Sequence, residues 1–268
     1  MRDTRQTPDH PNAQQHQQHQ QHQPPGAAAV PLPPPMSPPM SPQMPALVLA
    51  STSVYRRELL ARLGLPFTAV APQTDETPLP DEAPRDLALR LARAKAGAVA
   101  QAVAQAVTHP VTQTKAPDGS AHSAAAHAED TVVIGSDQVA DLDGVALGKP
   151  GTHERAVAQL RAMRGRTVHF HTAVCVLRPR TGFDVCEVDS VAVTFRDLSD
   201  EDIDTYLRLE QPYDCAGSAK CEGLGIGLLA RIASDDPTSL IGLPLILTTR
   251  LLREAGLDVF AALRAMPR

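Results

Sequence analysis

A hydroxyl-rich helix start followed by two arginines is the first place where this sequence could do chemistry. Residues 51–53, Ser-Thr-Ser, come directly after the apolar run 47–50, and Arg56 and Arg57 lie one turn further on. Hydroxyl groups, free backbone N–H groups and guanidinium groups at a helix N-terminus all favour a bound phosphate. A serine or threonine cap followed by a solvated arginine face explains the same residues, so this motif alone leaves both interpretations open.

An aspartate after a second apolar run is the next candidate. Residues 131–135 predict a buried strand, and Asp137 and Gln138 follow it closely. A carboxylate at the carboxyl end of a buried strand in an α/β sheet can hold a metal ion or take a proton from water. An ordinary Asx turn or helix cap explains this position equally well.

Two lysines and an acidic pair could complete a phosphate site. Lys95 belongs to a long helical pattern, and Lys149 lies in the stiff turn Gly-Lys-Pro, which limits where its ammonium group can point. Asp75 and Glu76 add carboxylates, and a magnesium–triphosphate site needs only one or two of these because water fills the other positions. Taken singly, each of these residues is also typical of a solvated surface.

Other common nucleotide-binding and catalytic motifs are absent from the sequence. The sequence contains no Walker-type phosphate loop, no His-Glu-x-x-His and no Gly-x-Ser-x-Gly. Gly223, Gly225 and Gly227 have the wrong spacing for a dinucleotide fingerprint, and we interpret them as strand or bulge glycines. The acidic cluster 199–202 predicts a helix start better than it predicts a metal site.

An α/β framework would position the candidate residues. Strands are predicted near 47–50, 67–70, 131–135, 167–177, 183–195 and 224–232, and helices from about 51, 85, 152, 199 and 243. The two longest strand candidates are joined by a turn at 178–182 and predict a hairpin. Strands that alternate with helices, together with this hairpin, predict a mixed sheet.

Composition divides the 268 residues into a tail and a folded domain. Residues 1–46 consist mainly of Gln, His, Pro, Ala and Met, and they predict a disordered tail because they carry too few apolar side chains to offset the entropy of ordering. Residues 47–268 are predicted to form the domain. Within it, residues 107–130 have the composition of a disordered surface insertion.

Charge and hydropathy restrict the partners and the compartment. The net charge is −5 and the isoelectric point is about 6.0, which argues against capture of nucleic acid polymers or anionic membranes. No apolar run is long enough for a membrane span, and the N-terminus lacks the apolar core of a secretory signal. The sequence therefore predicts a cytoplasmic protein.

Cysteine usage fits that compartment. The four cysteines, Cys175, Cys186, Cys215 and Cys221, are too few and too irregularly spaced for a disulfide framework, and none forms a Cys-x-x-Cys zinc motif. We expect them to be reduced packing residues.

Seven motifs in this order resemble the Maf family of nucleoside triphosphate pyrophosphatases. They are Leu-Ala-Ser-Thr-Ser-Val-Tyr-Arg-Arg at 49–57, Asp-Glu-Thr-Pro at 75–78, Arg-Leu-Ala-Arg-Ala-Lys-Ala at 90–96, Ile-Gly-Ser-Asp-Gln at 134–138, Gly-Lys-Pro at 148–150, Cys-Ala-Gly-Ser-Ala-Lys-Cys-Glu-Gly at 215–223 and Leu-Ile-Gly-Leu-Pro at 240–244. The similarity extends from about residue 47 to 256. Within the family the sequence looks most like the YceF-type branch, although Val54 and Tyr55 stand where that branch usually has proline and tryptophan.

The resemblance implies a fold, a reaction and a cofactor. The fold would be a mixed central sheet flanked by helices, with two lobes around a cleft. The reaction would be hydrolysis of 7-methyl-GTP between the α- and β-phosphates, with Mg²⁺ or Mn²⁺ as the divalent cation. Homodimers are common among similar proteins, so a homodimer is one expected assembly.

The resemblance also assigns roles to residues. Asp137 matches the catalytic proton acceptor and, with Glu76, would hold the metal. By the same matching, the phosphate-binding residues would be Ser51, Arg56, Lys95 and Lys149, and the residues for substrate choice would be Tyr55, Gln138 and Glu222.

Two other functions stay open on the sequence alone. One is hydrolysis of dTTP and UTP, which is a second activity of the same family. The other is regulation of septum formation or cell division through binding, without catalysis. Tyr55 and Gln138 argue against the first alternative, and the retained Asp137 with its cationic neighbours argues against the second.

Overall fold

The protein is described by a computed structural model that covers residues 44–108 and 130–266. The predicted disordered tail at 1–46, except for its last three residues, lies outside the described residues. So does almost all of the predicted insertion at 107–130. Its predicted start falls within a helix that continues to Thr108.

Strands and helices alternate along the described chain. The seven strands are β1 (Ala46–Ala50), β2 (Thr68–Val70), β3 (Thr131–Leu142), β4 (Val145–Leu147), β5 (Thr167–Arg178), β6 (Phe183–Phe195) and β7 (Leu229–Ala233). The six α-helices within residues 44–108 and 130–266 are α1 (Val54–Ala61), α2 (Pro84–Thr108), α3 (His153–Met163), α4 (Asp200–Glu210), α5 (Leu245–Glu254) and α6 (Val259–Ala265). None of the described helices combines the length and apolar character needed to cross a bilayer.

The strands form one mixed sheet in the order β2-β1-β3-β5-β6-β7, with β4 paired to β3. β1 is parallel to both β2 and β3, whereas the pairs from β3 to β7 are antiparallel. The mixed α/β fold predicted from the sequence is therefore confirmed. The predicted hairpin is also present, because β5 and β6 pair along their whole length around a short helical turn at Pro179–Thr181.

The longest central strand, β3, has a gap in its pairing on the β1 side. Its first five residues, up to Gly135, pair with β1, and its last three residues pair with β4 on the same edge. Among the described residues, no strand pairs with 136–139 on this edge. Side chains from both faces of the sheet can therefore reach one space here, outside the carboxyl end of β1.

The prediction that the strand ends at Gly135, just before Asp137, is wrong. β3 continues to Leu142 because Asp137 and its neighbours pair with β5 in antiparallel register, with Asp137 opposite Ala173. The apolar run stops at Gly135, but the strand pairing with β5 does not. Asp137 nevertheless lies just beyond the end of the parallel section of the sheet.

Three apolar clusters follow from the alternation of strand side chains. One face of β1, β3 and β5 packs against α2 through Val48, Val133 and Cys175. The opposite face carries a cluster that includes Leu49 and Leu251 at one end and a cluster that includes Phe170 and Leu207 at the other. By strand alternation, the polar residues Ser136, Gln138 and Thr172 lie on this second face, between the two clusters.

A glycine sets the distance between α2 and the sheet. A Cβ atom added to Gly135 would lie 2.2 Å from the carbonyl oxygen of Ala92 and 2.6 Å from the backbone nitrogen of Ala96. Contacts this short are excluded for any other residue, so only glycine lets α2 lie this close to β3. Lys95 stands next to Ala96 on this helix, and its reach into the sheet depends on that approach.

The expectation of four reduced cysteines is wrong for two of them. Cys175 on β5 and Cys186 on β6 stand directly opposite one another in the hairpin, with their Cα atoms 4.0 Å apart, and they form a disulfide. Cys215 and Cys221 are free and half-buried. Their pairing follows from the register of the two strands, which the spacing of the cysteines along the sequence does not show.

The C-terminal third differs from the sequence prediction in two further ways. Residues 224–228, predicted as strand, form a 3₁₀ helix, and only Leu229–Ala233 is extended. Gly225 and Gly227 lie in this 3₁₀ helix and Gly223 at its start, so the prediction of strand or bulge glycines is wrong. Gly225 is needed there because an added Cβ would lie 2.5 Å from the carbonyl oxygen of Lys220. The predicted last helix is α5, and sequence analysis missed α6, which Asp258 caps through the backbone N–H of Ala261.

We predict that Gly135→Ala destabilises the protein by about 3 kcal/mol, because the new methyl group forces α2 away from β3. Urea unfolding monitored by circular dichroism measures this loss. Gly97→Ala is the matched control, since it lies on α2 with no atom within 4 Å of an added Cβ. That control gains about 1 kcal/mol from helix propensity. Equal stability of the two variants would contradict the close-approach argument.

Candidate active site

A buried ion pair joins α2 to the middle of β3. Lys95 Nζ lies 2.6 Å from Asp137 Oδ1, and the two side chains are only 8% and 11% exposed. The same ammonium group lies 2.7 Å from Glu76 Oε1, in the loop before α2, and the Glu76 side chain is 55% exposed. Lys95 thus bridges a buried and an exposed carboxylate.

Arg56 reaches the same edge of the sheet from the start of α1. Ser53 caps this helix by accepting a hydrogen bond from the backbone N–H of Arg56. The Arg56 Nε donates to the carbonyl oxygen of Gly242 at 2.8 Å, and the Ser136 hydroxyl donates to the same oxygen at 3.3 Å. Gly242 has φ +125°, a region that favours glycine. Its carbonyl group is therefore the anchor that orients the guanidinium group.

The electrostatics show that these charges share one site. Burial acts to raise the pKa of Glu76, but the hydrogen bond from Lys95 and the charges of Lys95, Lys149 and Arg56 outweigh it and lower the pKa. Burial lowers the pKa of the Arg56 guanidinium, and the charges of Asp137 and Glu76 oppose that effect. Three cations and two carboxylates therefore face one another, and the excess positive charge favours a polyanion.

Ser51 and Lys149 lie at the margins of this cluster. Ser51 is buried at the end of β1, and its hydroxyl oxygen accepts a hydrogen bond from the backbone N–H of Ser53 at 3.1 Å. It therefore shapes the loop that enters α1. Lys149 is exposed in the Gly-Lys-Pro segment before α3, and its charge lowers the pKa of Glu76. An exposed lysine can adjust to a bound ligand.

The three residues that the family resemblance associates with substrate choice lie on different segments. Tyr55 is half-buried on α1, and Lys220 Nζ stands 5.7 Å from the centroid of its ring. Lys220 is held by an ion pair with Glu210 at 3.0 Å. Glu222 is exposed two residues beyond Lys220, and Gln138 follows Asp137 on β3 with its side chain on the other face.

A pocket of about 200 Å³ lies beside these residues. Its lining consists of Cys221, Glu222, Ile226, Ile232, Ser234, Asp236, Pro237, Leu240 and Ile241. The Leu240 carbonyl oxygen accepts a hydrogen bond from the Gln138 amide at 3.2 Å, which connects the pocket to β3. Burial raises the pKa of the Cys221 thiol to about 12, so this cysteine is neutral near pH 7. Apolar walls with a carboxylate at the rim suit a heterocycle that carries positive charge or N–H donors.

The structure thus brings together the predicted residues Arg56, Lys95, Asp137 and Glu76, with Lys149 at the rim. Sequence analysis missed the roles of Gly135, Gly242 and Lys220, although all three lie within motifs that it singled out. A glycine inside a strand pattern is a signal of close backbone approach, so Gly135 could have been found. Nothing local in the sequence indicates that the carbonyl group of Gly242 orients Arg56.

Cations that face a buried carboxylate, beside an apolar pocket on a mixed sheet, define a site for a phosphorylated small molecule. Comparison with known proteins identifies the family. The family model described as "Maf-like protein" matches residues 46–255. This chain therefore belongs to the Maf family, as its motifs predict.

Similar proteins come from several bacteria. The chain is 56% identical over 215 residues to a protein of Polaromonas sp. strain JS666, which covers 80% of this chain and 87% of that protein. It is 55% identical over 218 residues to a protein of Burkholderia pseudomallei strain 1710b, with 81% and 91% covered. It is 53% identical over 219 residues to a protein of Cupriavidus metallidurans, with 81% and 97% covered. All three relatives are named 7-methyl-GTP pyrophosphatase.

We predict that Lys95→Met destabilises the protein by about 3 kcal/mol, because it leaves the buried carboxylate of Asp137 without its partner. The double variant Lys95→Met/Asp137→Asn loses less than the sum of the two single variants, since it removes both charges. Free energies of unfolding from urea titrations give this coupling.

Arg93→Met is the matched control for this cycle. It removes a cation from the same helix, but its pair with Asp184 is about half exposed and contributes less than about 1 kcal/mol. An equal effect of Arg93→Met and Lys95→Met would show that the Lys95 pair has no special role in the fold.

Proposed function

We propose that this protein hydrolyses 7-methyl-GTP to 7-methyl-GMP and pyrophosphate, and so removes a modified nucleotide from the cellular pool. The observation that carries the proposal is the convergence of Arg56 and Lys95 on the buried Asp137, with Lys149 at the rim. The names of relatives 53–56% identical to this chain support the substrate.

Each charged residue then has a task in the reaction. Arg56, Lys95 and Lys149 bind the triphosphate and neutralise the charge that develops on it. Asp137 orients a water molecule and accepts its proton as the water oxygen attacks the α-phosphorus. The bond from the α-phosphorus to the bridging oxygen breaks, and pyrophosphate leaves with that oxygen. Phosphoryl transfer of this kind depends on positioning and charge neutralisation more than on covalent chemistry.

The residues present fit a divalent cation of the Mg²⁺ or Mn²⁺ type. Asp137 and Glu76 offer oxygen ligands from two carboxylates, and both are already arranged around one cationic group, Lys95 Nζ. Magnesium sites in nucleotide enzymes use one or two carboxylates together with substrate phosphates and water. When bound, such an ion would supply further neutralisation of phosphate charge.

Tyr55 and Glu222 account for selection of the methylated base. The 7-methylguanine ring carries positive charge, so an aromatic face at Tyr55 attracts it by about 0.5–2 kcal/mol. The negative Glu222 carboxylate, which lines the pocket, attracts the same positive charge. The Lys220 ammonium group that now lies near the Tyr55 ring would move aside when a cationic base binds, because like charges repel.

The proposed cleft lies between the two apolar clusters on the face opposite α2. These clusters would form the cores of two lobes, and the polar strip with Ser136 and Gln138 lies between them. Phosphates would bind at the edge with the gap in β3, and the base would bind towards the pocket beside Leu240.

We predict that Asp137→Asn lowers kcat about 10³-fold without loss of the fold, because an amide cannot accept the proton from water. Pyrophosphate release from 7-methyl-GTP with added magnesium measures the rate, and circular dichroism reports the fold. Asp141→Asn is the control on the same strand and face, and it keeps wild-type activity. Substantial turnover by a folded Asp137→Asn protein would remove Asp137 from the role of base.

For specificity, we predict that Tyr55→Ala reduces the preference for 7-methyl-GTP over GTP about tenfold, whereas Tyr55→Phe preserves it because the ring is kept. Glu222→Gln reduces the same preference, and the exposed Glu201→Gln on α4 does not. Values of kcat/KM for 7-methyl-GTP, GTP, UTP and dTTP are the measurement. Equal losses on every nucleotide would contradict recognition of the base charge, and preferred turnover of UTP or dTTP would contradict the proposed substrate.

A further inference from the structure

The side-chain amide of Gln138 is held in one orientation by groups on two segments. Its Nε2 donates to Thr172 Oγ1 on β5 at 2.9 Å and lies 3.0 Å from the Ser239 carbonyl oxygen and 3.2 Å from that of Leu240. Carbonyl oxygens can only accept hydrogen bonds. The amide oxygen of Gln138 therefore cannot take the place of its nitrogen.

The Thr172 hydroxyl completes this arrangement. Thr172 is fully buried, and its Oγ1 donates to the Ser239 carbonyl oxygen at 3.0 Å. A hydroxyl group has one hydrogen, so Oγ1 must act as acceptor towards Gln138. The Ser239 hydroxyl in turn donates to Asp189, which stands opposite Thr172 on β6. Thr172 thus joins the 239–241 turn, which lines the pocket, to the strand that carries Gln138.

The remaining polar atom of the amide is the side-chain oxygen of Gln138, Oε1. Among the residues that the structure describes, no hydrogen bond reaches Gln138 Oε1, and the side chain is half-buried. With Nε2 committed to the turn and to Thr172, the oxygen is the only part of the amide that a ligand can use. Glu222 supplies a second pure acceptor at the pocket that Leu240 also lines.

Gln138 stands at a position that the family resemblance already associates with substrate choice. We infer that Thr172 is the positioning residue that fixes the Gln138 amide, so that its carbonyl oxygen is the atom that faces the base. This inference rests on the proposed function and deepens it, because it defines the hydrogen-bonding edge that the site selects. Because Gln138 Oε1 and the Glu222 carboxylate both accept hydrogen bonds, the base must present hydrogen-bond donors on the edge that faces them. Guanine and 7-methylguanine present the N1–H and the 2-amino group side by side, whereas uracil and thymine present one N–H between two carbonyl oxygens that the acceptors would repel.

The test compares 7-methyl-GTP with 7-methyl-ITP, which differs only by loss of the 2-amino group. Wild-type protein prefers 7-methyl-GTP about tenfold or more in kcat/KM, which corresponds to about 1.4 kcal/mol. Thr172→Val keeps the side-chain shape but removes the hydroxyl, and it reduces this preference to about threefold or less. Thr172→Ser restores the hydroxyl and the preference.

Thr248→Val is the matched control. Thr248 is also fully buried, and its hydroxyl donates to the Pro244 carbonyl oxygen at 2.6 Å, away from Gln138. This variant keeps the wild-type preference. Gln138→Met, which has no polar side-chain atom, abolishes it and serves if Thr172→Val fails to fold. Loss of activity on both nucleotides in the same proportion, in folded Thr172→Val protein or, where that variant does not fold, in folded Gln138→Met protein, would overturn the inference.

A second measurement separates this inference from the proposed function. In the free protein labelled with ¹⁵N, the side-chain NH₂ protons of Gln138, identified by their absence in Gln138→Met, exchange with water more slowly than those of the exposed Gln101. Thr172→Val accelerates this exchange. Exchange as fast as that of Gln101 in wild type would overturn the orientation argument. Failure of the wild type to release pyrophosphate from 7-methyl-GTP, with slow exchange intact, would overturn the proposed function instead.

Discussion

The contact between Lys95 and Asp137 is the interaction on which the site depends. The two residues are 42 positions apart, and the pair is nearly buried, so it forms only if α2 lies tightly against β3. Gly135 permits that approach because a larger residue would collide with the backbone of α2. A buried pair of this kind gains little net stability, since desolvation offsets the attraction. Its value is geometric, because it fixes a carboxylate and an ammonium group side by side where Glu76 adds a second acid.

Consecutive residues of β3 serve two different parts of the site. Asp137 points to the face covered by α2, and Gln138 points to the opposite face, towards the turn at 239–241. One ligand can contact both only where the edge of the sheet is open, and the missing pairing of residues 136–139 on the β1 side provides that opening. In the proposed function, phosphate binding and base recognition would therefore lie on opposite faces of one strand and meet at its open edge.

Most of the fold could be predicted from local patterns. The hairpin of β5 and β6, the helix start at Ser199 and the apolar strand at 131–135 all have short-range signals, and the structure confirms them. Properties that depend on the partner strand could not be predicted. The register that pairs Cys175 with Cys186 and the length of β3 belong to this group. For the site, local chemistry and family motifs indicated the charged residues, and their catalytic roles stay predictions. The orienting contacts of Gly242 and Thr172 join segments about 70 to 190 residues apart, beyond any local pattern.

The most direct measurement is a crystal structure of this protein with a 7-methyl-GTP analogue whose α–β bridging oxygen is replaced by a methylene group. Arg56 and Lys149 are expected to contact phosphate oxygens, the Asp137 carboxylate to face the α-phosphorus, and the base to lie between Tyr55 and the acceptors Gln138 and Glu222. A triphosphate bound elsewhere, or with its α-phosphorus out of reach of a water molecule held by Asp137, would rule out the proposed site.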